Sequence, residues 1–561
     1  MLLNLFNQHR TQFLKKNLYW STNLSLILFV LFTACTPKQE ADLIVLTQST
    51  YTVDQAFSKK EAFAIKDGLF IAVGTADEMK SNYQAAKTLE LKEGFVFPGL
   101  YDAHCHFYGL GQKLKSADLV GTTSYEDVIN KVKAFADNNP QAVWLQGRGW
   151  DQNDWENKAF PTKEKLDEQF PNKPVFLTRI DGHAALVNQK ALELANITAT
   201  TQVNGGKVML ENGKPTGILI DNAVDLVNKV IPKPSDEEMT SILLAAQEAC
   251  VAKGLTSMVD AGLPKKVIDK IDQMQQSGQL KVRINAMIDP IDKDYYLANG
   301  FVKTDRLSVR SFKIYADGAL GSRGACLLHP YSDDLGNSGF LLSSPEALEE
   351  LMTEAHAKGF QVNTHCIGDS ANRLTLDIYG KLLGENNDAR WRIEHAQVVH
   401  PDDLAKFKKF NVIPSVQPTH CTSDMYWAGD RLGEDRIATA YAFKQLMEQN
   451  EVIAFGSDFP VEAVNPLFGF HAAVARQDAE QYPEGGFQME NAIDRKNALR
   501  AMTDWAAYSC FQEQETGSIE VGKKADFVIL DQDIMETDQN QLRAVKVLAT
   551  YIGGEQVFGT E

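Results

Sequence analysis

Apolar and polar positions in the middle of the chain form a pattern that predicts eight short strands separated by helices. Amphipathic helical stretches such as Ser344–Lys358 and Asp402–Lys409 lie between the strand-like runs. Eight strands that alternate with helices are typical of a (β/α)8, or TIM, barrel, so we predict an α/β fold of this type. The apolar runs end in polar residues and fall at Phe95–His106, Thr256–Gly262, Val282–Ile288, Ser311–Asp317, Gln361–Cys366, Arg392–His395, Val412–Gln417 and Val452–Asp458.

The first gap between predicted barrel strands, residues 107–255, is too long for one helix. It contains further strand-like runs at Ala142–Gln146 and Val175–Ile180. We interpret this segment as an insertion after barrel strand one that forms a cap over the barrel mouth. In the alternative interpretation Ala142–Gln146 is itself the second barrel strand, but the strand count then exceeds eight.

Short β-rich runs also lie near both ends of the chain. Neither group has enough apolar surface to be stable alone, so strands from both ends are expected to pair. We therefore predict one small sheet domain from residues 42–97 and 510–561, beside a barrel domain of residues 98–509. The runs are Asp42–Thr47, Glu61–Ile65, Leu69–Val73, Lys87–Leu91, Ala525–Leu530 and Val545–Ile552.

Residues 1–34 have the pattern of an export signal. The apolar run Leu24–Ala34 is shorter than the roughly 20 residues that span a bilayer. It ends directly before Cys35, and Leu31–Cys35 resembles the lipobox of bacterial lipoproteins. That resemblance implies removal of residues 1–34, a linker at 35–41, and a protein exported to the bacterial cell envelope and held on the membrane only by lipid on Cys35. An ordinary signal peptide and an uncleaved anchor are the alternatives.

Composition and charge exclude several other classes of protein. Hydrophobic residues make up 44% and charged residues 23% of the chain, which is usual for a globular protein. The net charge of −18 repels phosphate backbones, so nucleic acid is not expected as a partner. The cysteines other than Cys35 are scattered and show neither zinc-finger spacing nor a disulfide framework.

Histidines and an aspartate stand where several predicted barrel strands end. The carboxyl ends of the strands of such a barrel meet at one rim, so we expect these side chains to lie close together. A donor set of nitrogen and oxygen atoms suits zinc or a related divalent ion and leaves positions for water. The candidate ligands are His104 and His106 on strand one, His365 on strand five, His395 on strand six and Asp458 on strand eight.

Lys313 lies on predicted strand four and is a further candidate at this rim. A free ammonium group has no lone pair for a metal ion, but a lysine carboxylated by carbon dioxide offers two oxygens. The alternative is an unmodified lysine paired with Asp317 beside a single metal ion.

Together these motifs resemble the amidohydrolase superfamily, in the family-3 branch that contains N-substituted formamide deformylase. The resemblance extends from about residue 42 onward. It implies a TIM barrel with a β-sandwich built from both chain ends, one or two divalent metals, and hydrolysis of C–N bonds. Where there are two metals, it implies that an N-carboxylated Lys313 bridges them. It is carried by Pro98–His106, Gly147–Trp155, Asp181–Ala185, Lys313–Arg323, Thr364–Asp369, Arg392–Gln397, Gly456–Pro460 and Gly517–Asp526.

The chemistry that these residues permit is metal-assisted hydrolysis, with Asp458 as general base and then general acid. We therefore predict a hydrolase acting on a non-peptide C–N bond of an amide, N-formyl or N-acyl amine. A cyclic amidase, a C–O hydrolase, or an isomerase or lyase could use the same metal site, because the fold does not fix the reaction. An inactive exported binding lipoprotein is the remaining alternative.

Four residues of the cap and loops are candidate substrate contacts: Trp150, Asp151, His183 and Arg323. The tryptophan suits apolar substrate surface, whereas a polyanion would require clustered basic residues. We therefore expect a small or medium-sized, uncharged small-molecule substrate.

Overall fold

Eight parallel strands form a nearly closed barrel at the centre of the computed structural model, which describes residues 38–559. Each strand pairs with the next barrel strand along the chain, and the strands are buried on both faces, which explains their continuous apolar runs. The fold class predicted from the sequence is confirmed. The barrel strands, numbered one to eight, are Leu100–Cys105, Leu255–Leu263, Arg283–Ile288, Leu307–Tyr315, Gln361–Cys366, Arg392–His395, Ile413–Val416 and Ala454–Phe455.

Backbone hydrogen bonds join strand eight to strand one at the carboxyl rim of the barrel. The Asp458 N–H donates to the His104 carbonyl at 2.7 Å, and the His106 N–H donates to the Phe459 carbonyl at 2.8 Å. A Cβ atom on Gly456 would lie 2.5 Å from the His104 nitrogen, so only glycine allows this close approach. The first and last barrel strands are thereby held together where the candidate ligands lie.

Helices and short connecting elements surround the barrel. The α-helices around the barrel are Phe107–Lys113, Asp236–Val251, Lys265–Gln276, Lys293–Asn299, Pro345–Ala357, Asp369–Leu383, Pro401–Lys409, Pro418–Asp424, Ala428–Ile437, Phe443–Asn450, Pro466–Ala475, Arg495–Ala501 and Asp504–Ser509. Short 3-10 helices lie at Pro290–Asp292, Met489–Asn491 and Gln539–Ala544, and the strand Val302–Lys303 pairs with barrel strand four.

The predicted first strand, Phe95–His106, is in fact two strands that belong to different sheets. Phe95–Pro98 pairs with the terminal sheet, and Leu100–Cys105 is barrel strand one. Between them, a Cβ atom on Gly99 would lie 2.4 Å from the Thr256 hydroxyl, so the chain passes between the sheets at a residue without a side chain. His106 consequently lies just beyond the strand, at the start of helix Phe107–Lys113.

Strands from both ends of the described chain form one eight-stranded sheet that folds back on itself. The Phe63 and Phe527 rings lie 5.1 Å apart although their strands are three positions apart in the sheet, a distance of about 14 Å if the sheet were flat. The sheet therefore encloses its own apolar core, as in a sandwich. Its strands are Gln39–Tyr51, Lys59–Lys66, Leu69–Gly74, Tyr83–Glu90, Phe95–Pro98, Phe527–Leu530, Val547–Ile552 and Glu555–Phe558, with the helix Ala76–Asn82.

Residues 107–255 contain a second sheet of six strands, with apolar clusters on its faces. The run predicted at Ala142–Gln146 belongs to this sheet, so the interpretation of that run as barrel strand two is wrong. The strands are Ala117–Asp118, Leu145–Trp150, Val175–Arg179, Ala184–Val187, Gly206–Glu211 and Lys214–Asp221. The helices are Tyr125–Asn138, Gln152–Asp154 (3-10), Glu164–Gln169, Gln189–Leu194 and Asp225–Asn228.

The predicted signal segment and Cys35 lie outside the described residues. Within residues 38–559, no helix combines the length and the apolar character needed to cross a bilayer.

Candidate metal centre

Three of the predicted ligands already meet at a spacing that one metal ion could fill. Ligand atoms of His104, His106 and Asp458 all lie within 4.8 Å of one another. His395 adjoins this group, with its ring 4.8 Å from the His104 ring, and the His365 ring is 4.5 Å from the His395 ring. The barrel thus brings the five predicted ligands to one place at its carboxyl rim.

Hydrogen bonds fix which ring nitrogen of three histidines faces the centre. The Nδ1 atom of His104 contacts the Glu394 carboxylate, that of His106 the Ala261 carbonyl at 3.1 Å, and that of His395 the Gln417 amide oxygen at 2.8 Å. Each of these oxygens can only accept, so each Nδ1 must carry the hydrogen. In the neutral ring the Nε2 lone pair then remains available, which is the arrangement a metal-binding histidine needs.

Burial keeps the His104 and His395 imidazoles neutral. It lowers the pKa of His104 to about 4 and that of His395 well below its usual range, and the neighbouring His365 adds to the effect on His395. The Nε2 atom of His365 lies 3.4 Å from the Gly318 carbonyl. A carbonyl accepts only, so the hydrogen is on Nε2 in this ring and the Nδ1 lone pair is free.

Asp458 supplies the negative charge of the centre. Its Oδ1 atom is buried without a hydrogen-bond donor and lies 3.1 Å from His106 Nε2 and 3.7 Å from His104 Nε2. An unpartnered carboxylate oxygen facing imidazole lone pairs is the donor set of a cation site, so the residues present fit a divalent metal.

Backbone strain accompanies this placement. Asp458 and His395 both have positive φ angles, of 59° and 72°, which are unfavourable for residues with a side chain. Such strain persists only where surrounding contacts impose it, and it is frequent at functional sites.

Lys313 is fully buried on strand four, with its Nζ atom 3.0 Å from His104 Nε2. Burial lowers its pKa to about 8. The alternative pairing of Lys313 with Asp317 is wrong, because the Asp317 carboxylate instead accepts the backbone N–H groups of Cys326, Ile367 and Gly368.

Two carboxylates to which the sequence pattern assigned no role hold the candidate ligands in place. Glu394 is fully buried and contacts both His104 and the Arg392 guanidinium, which keeps the pKa of Glu394 at about 2 despite its burial. Asp102 accepts hydrogen bonds from the His104 and Ser457 backbone and from the Ser457 hydroxyl, and so ties strand one to the loop that carries Asp458. Charged residues inside otherwise apolar strands were the available signal.

A cavity of about 550 Å³ opens above the centre, between the barrel and the cap. Two of the predicted substrate contacts, Asp151 and His183, line it. The His183 ring lies 5.0 Å from the His365 ring and is oriented by Asp221, whose carboxylate is 2.6 Å from His183 Nδ1. The cap therefore contributes side chains directly to the candidate active site.

The other two predicted substrate contacts must be corrected, because neither lines this cavity. Trp150 is fully buried in the apolar core of the cap, where its indole N–H donates to the Leu177 carbonyl at 2.8 Å. Arg323 forms a bidentate ion pair with Asp333, at 2.8 and 3.1 Å. Both side chains therefore make contacts within the protein that stabilise its structure.

Comparisons with known proteins agree with this geometry. The sequence model described as "Amidohydrolase family" matches residues 87–558. A Bacillus subtilis relative with the provisional name amidohydrolase YtcJ is 32% identical over 520 residues, which are 91% of this chain and 98% of that protein. N-substituted formamide deformylase of Arthrobacter pascens is 24% identical over 548 residues, 92% of this chain and 98% of that enzyme.

A solved structure shares the whole architecture. A metal-dependent hydrolase from Pyrococcus horikoshii, itself uncharacterised, superimposes with a TM-score of 0.73 at 30% identity, over 89% of this chain and 99% of that one. The matched family model spans the cap, the barrel and the metal centre. The chain therefore belongs to the amidohydrolase family of metal-dependent hydrolases.

Proposed function

We propose that this hydrolase cleaves a non-peptide C–N bond in an amide, N-formyl or N-acyl amine. The observation that carries the proposal is the position of Asp458, whose unpartnered Oδ1 atom lies beside the ligand nitrogens and lines the substrate cavity. An amine leaves readily only when it is protonated, so amide hydrolysis needs a group that takes a proton from water and returns it to nitrogen. The position of Asp458 supports it as the group that makes both transfers.

The metal ion would be held by His104, His106, His365, His395 and Asp458, and we favour zinc because imidazole and carboxylate donors suit it. When bound, such an ion lowers the pKa of water and polarises a carbonyl group. Glu394 and Gln417 keep the His104 and His395 rings in the ligating tautomer.

We further propose that Lys313 is N-carboxylated and that two ions share it. Carbon dioxide adds to a neutral amine, and burial favours that form by lowering the pKa of Lys313 to about 8. The adduct replaces one N–H bond by an N–C bond and releases one proton. A carbamate signal in ¹³C spectra of protein loaded with labelled bicarbonate, absent from Lys313→Ala, would support this, whereas no signal from metal-loaded protein would refute it.

His183 and Asp151 are our candidates for direct contact with the substrate, because both line the cavity. The choice of a C–N bond also draws on the deformylase relative, whose name states a formamide substrate. Its identity of 24% supports the reaction class more than the substrate itself.

The test is hydrolysis of a panel of N-formyl amines, N-acyl amines, cyclic amides and esters by zinc-loaded protein. Asp458→Asn should keep metal, measured by elemental analysis, and lose about 10² to 10⁴ in rate. Glu93→Gln, a substitution at an exposed loop position that does not line the cavity, is the matched control. Cleavage of esters alone would replace the C–N assignment by C–O hydrolysis, and near-normal turnover of Asp458→Asn would move the proton transfer elsewhere.

We also propose that the enzyme is a lipid-anchored protein of the bacterial cell envelope, acylated at Cys35. The proposal rests on the basic, apolar and cysteine-containing pattern of residues 1–35. An envelope location would expose the active site to scavenged small molecules rather than to cytoplasmic intermediates.

A further inference from the structure

Carboxyl groups outnumber lysine and arginine side chains in the lining of the substrate cavity. Seven carboxylates line it, but only two residues with a permanent positive charge, Lys113 and Arg179. With Asp458 assigned to the metal, six carboxylates remain against two cations. The carboxylates are those of Asp118, Asp151, Asp154, Asp181, Asp424, Asp458 and Glu462.

Both cations are already neutralised by other carboxylates of the lining. Lys113 pairs with Asp118 at 3.0 Å. The buried Arg179 guanidinium is shared between Asp151 and Asp181, so that group retains one negative charge. The described cavity lining therefore keeps no lysine or arginine free to pair with the remaining acids, and only histidines are left as basic groups there.

Asp424 and Glu462 are the remaining acids held most firmly. Asp424 accepts from the Tyr441 hydroxyl at 2.8 Å and the Gln397 amide at 3.1 Å, and Glu462 accepts from the Ser423 hydroxyl at 2.7 Å. These donors are neutral, so they orient the carboxyl groups but supply no positive charge, and burial raises the pKa of Asp424 to about 7 and that of Glu462 above its usual value. Within residues 38–559 neither carboxylate takes part in an ion pair, and the same holds for Asp154.

One ring nitrogen of a histidine near these acids is also without a hydrogen-bond partner. His420 lines the cavity, and its Nε2 atom is buried without a hydrogen-bond partner among the described residues. Its ring lies 6.1 Å from the ring of the metal ligand His395. The wall between the acids and the metal centre thus contains a ring nitrogen that makes no hydrogen bond within the described protein.

Asp424 and Glu462 both lie in segments that directly follow barrel strands at the rim of the metal centre. Asp424 ends the helix that follows barrel strand seven, and Glu462 lies four residues after Asp458 in the loop that follows strand eight. Apolar residues complete the lining, among them Ile180, Leu320 and Val461. Carboxylates next to apolar surface match an ammonium group on an alkyl chain.

We propose that the substrate carries a protonated amine on an alkyl chain, and that this ammonium group binds to Asp424 and Glu462 while the scissile amide lies at Asp458. This assignment rests on the proposed function for the reaction, but the recognition of the cation stands on the cavity alone. This proposal differs from the uncharged substrate predicted from the sequence. That prediction did not take Asp424 and Glu462 into account, because neither residue belongs to the motifs recognised in the sequence.

The experiment compares three N-acetyl amines of similar length on zinc-loaded protein: N-acetyl-1,4-diaminobutane, N-acetylpentylamine and N-acetyl-5-aminopentanoate. We expect kcat/KM to be at least about tenfold higher for the cation than for the neutral compound, and lowest for the anion. Asp424→Asn and Glu462→Gln should each reduce that preference, and Glu93→Gln should keep it. The ratio of two kcat/KM values does not depend on the fraction of active enzyme, so partial misfolding cannot imitate the loss.

A binding measurement separates this inference from the proposed reaction. Calorimetric titration should show that 1,4-diaminobutane binds to the zinc-loaded wild-type protein at least about tenfold more tightly than 1,4-butanediol, and that either variant reduces the difference. Selective diamine binding without hydrolysis of any amide would retain the cation site and reject the reaction. Equal affinity for diamine and diol, no binding of either, or a preference for the neutral or anionic amide would overturn the inference.

Discussion

Replacing Glu394 by glutamine tests whether this buried carboxylate both stabilises the barrel and prepares the metal centre. Glu394 accepts from the Arg392 guanidinium at 2.6 and 2.9 Å and also contacts Nδ1 of His104. Glutamine has the same shape but no charge, and its NH2 group would face existing donors. The substitution therefore leaves the fully buried Arg392 without a counter-charge and removes the acceptor that fixes the His104 tautomer.

These contacts predict a loss in the free energy of unfolding, which can be worked out in two ways, and a loss of metal affinity. A pKa lowered from 4.5 to about 2 corresponds to about 3 kcal/mol of stability at neutral pH. Breaking a buried ion pair by removing one partner typically costs about 3–5 kcal/mol, which agrees with that value. Loss of an outer partner of a metal-binding histidine typically weakens metal affinity about 10- to 100-fold.

Urea unfolding of metal-free wild type and Glu394→Gln should show the loss of stability near pH 7. A depressed carboxylate pKa contributes stability above the unfolded pKa of about 4.5 and loses it as the pH falls toward about 2, so the difference between the two proteins should narrow below about pH 4.5. Zinc competition against a chromophoric chelator measures the change in affinity, with Glu93→Gln as control. Equal stability and equal zinc affinity of the two proteins would refute both roles.

Further substitutions test the assignments at other levels of the structure. Trp150→Ala should destabilise the cap by about 3–5 kcal/mol and increase proteolysis within residues 107–255; a changed KM with unchanged proteolysis would restore its role as a substrate contact. Asp526→Asn should cost about 3 kcal/mol or more in urea unfolding, because it leaves the buried Arg283 without its bidentate partner; an unchanged midpoint would contradict this. Removal of metal by a chelator should lower the melting temperature and added zinc should restore it, whereas an unchanged temperature would argue against resident metal. Cys35→Ala should abolish labelling of the protein by palmitate in the producing cell, and persistent labelling would contradict acylation at that residue.

Much of the fold could be predicted because its signals are local. A buried parallel strand is a run of apolar residues, a helix between strands has its own periodicity, and both are properties of neighbours along the chain. The candidate metal ligands could be named for the same reason, since a barrel places the residues at the end of each strand at one rim. The predicted fold class, hydrolase activity and divalent metal binding are confirmed in this general form.

The break at Gly99 shows where local signals fail even for the fold. Phe95–His106 is continuous in hydrophobicity, so its sequence predicts one strand. Only the packing of Gly99 against Thr256 and the pairing of Phe95–Pro98 with Phe527–Leu530 divide it between two sheets. Partners more than 150 residues away decided this boundary.

The sequence by itself determined the barrel, the cap and the candidate ligands, while the tertiary structure decided what each polar or aromatic side chain faces. Trp150 was predicted at the substrate and lies in the cap core, whereas Glu394 received no role and holds His104 across 290 positions of the chain. Asp424 and Glu462 likewise become one acidic wall only when the helix after strand seven and the loop after strand eight meet beside the candidate metal centre. Hydrophobic periodicity specifies which side of an element is buried, but the charge and the acceptors around a buried group come from distant segments that only folding brings together.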